Sequence, residues 1–118
     1  MTQEDKELLL RDLSARLPYG VIIEIDKSFI TKKGTFRLSY EHLDINNMLF
    51  IKPYLRPMSS MTEEEIEIFN SDFGGIEDGY NSIEVKRIDW LNKKIFDYRG
   101  LIPMGLALEA PKDMYKNY

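Results

Sequence analysis

The chain has 118 residues, 43% hydrophobic and 31% charged, the make-up of an ordinary globular protein and not of a disordered one. It has no cysteine, which excludes disulfides, thiolate nucleophiles and cysteine-based zinc sites and makes a reducing, cytoplasmic compartment the expected one. Sixteen basic against twenty acidic residues leave a net charge of −4, which argues against nonspecific attraction to nucleic acid over the whole surface.

The length predicts one domain over residues 1–118. The start lacks the basic and long apolar regions of a secretion signal, and no apolar run is long enough for a bilayer, so no membrane association is expected. Thr2 and Asp5 have capping-box spacing and open a helix that runs to about Arg16, with Leu9, Leu10, Leu13 and Leu17 on one side. Pro18 stops it, and Tyr19 and Gly20 turn the chain into a β-branched strand over residues 21–25. Residues 35–40 alternate, with Phe36, Leu38 and Tyr40 facing one way, as in a strand with one solvated face. Residues 44–47 supply turn chemistry before an apolar run at 48–51, read as a third strand. Pro53 must end that strand, bulge it or place it at an edge. The simplest arrangement is a three-stranded antiparallel meander.

A second capping box, Thr62 with Glu65, predicts a helix from Glu63 with Ile66, Phe69 and Phe73 inward, ended by Gly74 and Gly75. Residues 82–100 form a longer helix, capped by Asn81 or Ser82 and closed near Gly100. Val85, Ile88, Leu91, Ile95 and Phe96 make one apolar, core-facing stripe. Trp90, the sole tryptophan, lies off that stripe among Lys86, Lys93 and Asp97, so it is covered by a second layer or left out for a partner. Residues 106–108 read as a short strand or a core-covering tail. The fold class is α+β: a helix, three strands, two further helices and a short apolar C-terminal segment.

Few residues point to chemistry. The single histidine, His42, sits near a turn and reads as exposed or turn-bonded; a triad would need a serine and a carboxylate beside it. Residues 72–74 spell a kinase-like DFG without the accompanying kinase motifs. Asp72, Glu77 and Asp78 offer oxygen ligands for a hard cation but not EF-hand spacing, and a solvated acidic loop explains them as well. No phosphate-cradling glycine motif occurs, and no metal or cofactor is expected. The basic segment Lys27, Lys32, Lys33 and Arg37, interleaved with Phe29 and Phe36, fits a nucleic-acid contact or solvated lysines that protect a sheet edge; the acidic balance favours the second. Tyr54, Arg56, Trp90, Tyr98 and Arg99 are the residue types that dominate protein interfaces. Their plain alternative has Trp90 under the C-terminal segment and Arg99 paired with Asp97 or an acidic loop.

Residues 52–65 (KPYLRPMSSMTEEE), 88–115 and 8–23 resemble a family of small uncharacterised proteins associated with gut anaerobe genomes and with phage-like or mobile neighbourhoods. The resemblance implies an accessory protein such as a regulator, an anti-defence factor or an assembly adaptor, and brings no catalytic residues with it. The expectation is therefore a non-enzymatic domain that binds another protein through Tyr54, Arg56, Trp90, Tyr98 and Arg99. The alternative is a nucleic-acid-binding accessory protein that uses the basic hairpin. Pairing of an exposed edge strand would give a homodimer.

Overall fold

The computed structural model describes residues 1–27, 32–71 and 79–115, with backbone alone for 79–83. Helix α1 (Gln3–Arg16) begins as its sequence dictates: Thr2 Oγ1 accepts from Asp5 N at 3.0 Å while the Asp5 carboxylate accepts from Thr2 N. A 3-10 turn around Pro18 (Leu17–Tyr19) follows. Gly20, at φ 74°, then turns the chain into the sheet; a Cβ there would lie 3.1 Å from the Arg37 guanidinium, so glycine serves both the backbone angle and the close approach.

The sheet contains β1 (Ile22–Ile25), β2 (Gly34–Arg37), β3 (Ile51–Leu55) and β4 (Leu108–Glu109) in the spatial order β2-β1-β3-β4. The first three are antiparallel, as expected, but they do not form a meander. β3 pairs with β1 instead of β2, and β4 adds a parallel strand to β3. The cause lies in residues 38–50, where two 3-10 turns (Tyr40–His42 and Ile45–Asn47) carry the chain across to the far side of β1. The predicted strand through Tyr40 therefore ends at Arg37, and Tyr40 is 82% exposed. The third strand begins at Ile51, where the run expected at 48–51 ends.

Pro53 sits inside β3 without breaking it. Asp26 N donates to Phe50 O and Glu24 stands opposite Lys52, so residues of even number on β3 bond to β1. The nitrogen of Pro53 faces away from β1, and β4 begins only opposite Tyr54, so no ladder acceptor is left without a donor. Leu9 and Leu13 of α1 pack on Ile23, Ile25, Ile51 and Leu55 from the inner sheet face. Leu106 and Ala107 close this core, so the C-terminal segment is both a covering tail and a strand.

Helix α2 (Glu63–Asn70) starts at the expected capping box, with Glu65 N donating to Thr62 Oγ1 at 3.1 Å. Helix α3 (Gly79–Lys93) starts earlier than an Asn81 or Ser82 cap would allow. Its stripe is core-facing only in its last turns. Leu91 is buried, whereas Val85 is 57% and Ile88 42% exposed. The helix also stops before Gly100, in a Schellman turn with Phe96 N donating to Leu91 O and Ile95 N to Asn92 O. Ile95 takes the left-handed position at φ 64°, where glycine is usual. Its side chain is in the core, and the buried packing holds that strained angle. The expected Phe73 contact and the Gly74, Gly75 stop lie outside the described residues. Among the described residues no helix is long and apolar enough to cross a membrane.

Candidate functional site

Arg56 closes β3 and is locked from both ends. Its N–H donates to Ile95 O at 2.9 Å and its carbonyl accepts from Asp97 N at 2.8 Å. The guanidinium is buried. It makes a bidentate pair with Glu65, Nη1 to Oε2 at 2.8 Å and Nη2 to Oε1 at 2.7 Å. It also stacks 4.1 Å from the Phe96 ring centroid. The Arg56 hydrogen bonds hold the Glu65 carboxyl below its ordinary value, against burial, with help from Thr62. Beyond Phe96 the aromatic series continues, with Trp90 at 5.7 Å from Phe96 and Phe69 of α2 at 6.3 Å from Trp90. Trp90 is thus half-buried, and its second layer is α2, not the C-terminal segment.

Tyr98 and Arg99 belong to a different cluster. Arg99 Nη1 donates to Asp12 at 2.6 Å, so Arg99 pairs with α1 and not with Asp97. Asp97 instead accepts from Leu101 N and Ile102 N, holding the turn that follows α3. The same Asp12 carboxylate takes both Nε and Nη2 of Arg16, and Arg16 Nη2 also donates to Phe96 O at 2.7 Å. Asp12 and Arg16 are fully buried, and among the described residues Arg16 Nη1 has no hydrogen-bond partner. Both guanidiniums stand against the Tyr98 ring, at 5.3 and 4.7 Å, and its π face attracts them. Sequence reasoning missed this pair. Its signal was the placement of Asp12 and Arg16 three residues after Leu9 and Leu13, on the buried side of α1.

Tyr54 lies on the outer sheet face. Its hydroxyl and that of Thr35 both donate to Glu24, at 2.9 and 2.7 Å, tying β3, β1 and β2 together. These bonds, Thr35 foremost, hold the Glu24 carboxyl below its ordinary value, and the Glu24 bond pushes the Tyr54 phenol up. Tyr115 bridges the point where β1 and β3 part. Ile22 N donates to its hydroxyl at 2.8 Å, and the hydroxyl donates to Tyr54 O at 2.7 Å. Ile22 and Tyr54 are opposite by register, so the phenol stands in for a ladder bond.

The five residues expected on one protein-binding face therefore divide among three neighbourhoods: Arg56 with Trp90, Tyr98 with Arg99, and Tyr54 alone on the sheet. Lys27, Lys32, Lys33 and Arg37 are exposed along the β1–β2 hairpin, while Phe29 lies outside the described residues. His42 is buried and turn-bonded, its Nδ1 accepting from Ser39 N at 3.0 Å. Glu41 approaches the Ser39 hydroxyl and not the imidazole, the reverse of a proton relay. Asp72, Glu77 and Asp78 lie outside the described residues, among which no cluster able to hold a metal ion occurs. Compared with family models, curated proteins and solved structures, the chain has no match in any of the three.

Proposed function

We propose that this chain is a non-enzymatic interaction domain that docks another protein on α3 and the adjoining α2. The observation that carries this reading is the fate of one stripe. Leu91 and Ile95 bury it, and Val85 and Ile88 continue it at helical spacing into solvent. Of nine exposed large hydrophobics among the described residues, four (Ile66, Ile68, Val85 and Ile88) are on these two helices. Exposed apolar side chains gathered on one pair of elements favour an interface over chance scatter.

The expected contact residues divide accordingly. Trp90, off the Val85–Ile88 stripe, meets α2 through Phe69, whereas Arg56 acts as an internal strut that fixes α2 to β3. An accessory role in phage or mobile-element biology is the setting that the family resemblance suggests. A photo-crosslinking residue at Ile88, introduced in the native host, tests the reading. It should yield one discrete adduct that the same probe at Lys52 of the sheet does not. Equal or absent adducts at both positions would count against it.

A further inference from the structure

Beyond the helical surface, the structure offers a second recognition element. We propose that the edge of β2, unpaired among the described residues, receives an acidic, extended peptide segment of a partner protein as an added strand. Leu38 N donates to Val21 O, and this fixes the parity of the β1–β2 ladder. By that parity Phe36 bonds inward to β1, and the N–H and C=O groups of Thr35 and Arg37 point outward. These four groups alternate donor and acceptor, the pattern that strand addition uses. The Thr35 side chain does not compete for them, because its hydroxyl is committed to Glu24.

Charge selects the occupant. Lys27, Lys32 and Lys33 flank the loop end of the hairpin and Arg37 lies at its other end, opposite Ile22; all four are exposed, against Glu24 of β1 and Asp26 just after it. Glu24 is already engaged by Thr35 and Tyr54. Arg37 extends over Gly20 beside an open groove of about 480 Å³ that Tyr19 also lines. A second copy of this chain paired antiparallel on the same edge about Thr35 would bring Lys33 of each copy against Arg37 of the other, a like-charge juxtaposition. The phosphates of a nucleic acid offer acceptors only, and would leave the Thr35 and Arg37 carbonyls unused. An extended chain carrying carboxylates on alternate residues satisfies both the ladder and the cations.

The test follows amide exchange by NMR on the full chain titrated with a blocked, alternating valine–glutamate hexapeptide. The Thr35 and Arg37 amides should slow by about tenfold or more at saturation, while Phe36, already bonded, changes little. Binding should weaken about tenfold between low and physiological salt. The triple reversal Lys32→Glu, Lys33→Glu, Arg37→Glu should abolish it with the exchange pattern of α1 unchanged. Thr35→Pro, which removes one outward donor, should abolish it without altering charge. The proposal is overturned if the Thr35 and Arg37 amides do not slow, or if a valine–lysine hexapeptide slows them equally. It is also overturned if a single-stranded oligonucleotide binds these residues in preference to the acidic peptide, or if the protein alone protects them as its concentration rises.

Discussion

Arg99 Nη1 donates to Asp12 Oδ1 at 2.6 Å, joining residues 87 positions apart in the sequence at an oxygen that Arg16 also uses. One buried carboxylate thus serves two guanidiniums and fastens the turn after α3 to α1. Removing it leaves buried positive charge without its counter-ion. Asp12→Asn, nearly isosteric, should destabilise the fold by about 3–5 kcal/mol in urea unfolding. Arg99→Gln should cost less, since the Arg99 side chain is 21% exposed and water replaces part of the lost bond. A smaller effect for Asp12→Asn than for Arg99→Gln would contradict this account of the cluster.

The pair formed by Arg56 and Glu65 sets an acid limit. The folded-state value of Glu65 lies below the ordinary 4.5, so the unfolded chain takes up the proton first as pH falls. Stability from this pair is present above about pH 4.5 and is lost as pH drops from there through the lowered value. Thermal melts between pH 6 and pH 3 (about a tenfold proton range per unit) should fall more steeply for the native chain than for Glu65→Gln, which has no proton to gain. Parallel curves would remove Glu65 from the acid response.

Tyr115 sets the corresponding alkaline limit. Burial pushes its phenol up to about 12, so the unfolded chain loses that proton first as pH rises. Its contribution is complete below the ordinary value of 10 and declines as pH climbs toward 12. Phenolate absorbance should show one tyrosine titrating last, and that step should vanish in Tyr115→Phe. The same variant leaves Ile22 N and Tyr54 O unbridged and should lose about 1–3 kcal/mol at neutral pH.

Ile95 reverses a familiar ranking. Alanine there keeps the left-handed angle strained and loses the buried side chain, at a cost of about 2–5 kcal/mol. Glycine loses the same packing but relieves the angle, so Ile95→Gly should be more stable than Ile95→Ala by about 1 kcal/mol. Denaturant midpoints decide the order, and alanine above glycine would mean that the angle carries no strain.

Local chemistry was legible in the sequence, and neighbour-dependent chemistry was not. The boxes at Thr2 with Asp5 and Thr62 with Glu65 need only three-residue spacing, so both helix starts could be read directly. Pro53 could not be placed, because whether its nitrogen matters depends on which strand lies on each side. The stripe through Val85, Ile88 and Leu91 was visible as a period, yet a period does not say how far along the helix the rest of the protein reaches. Gly100 attracted the helix end on composition, while Ile95 took that position because burial outweighs its backbone preference. Of the candidate residues, Arg56 was recognised by type and misjudged by exposure. Its partner Glu65 had already been explained as a cap, and it performs both roles.

On the proposed function, the outer half of the α3 stripe is an interface and not part of the core. The direct measurement compares the native chain with the double variant Val85→Lys, Ile88→Lys for thermal midpoint and for recovery of the native-host protein that crosslinks at Ile88. The midpoint should stay within about 2 °C of the native value, as for surface substitutions, and recovery should fall by tenfold or more. Undiminished recovery would contradict it, as would a midpoint lowered by about 10 °C, which would place Val85 and Ile88 in the core.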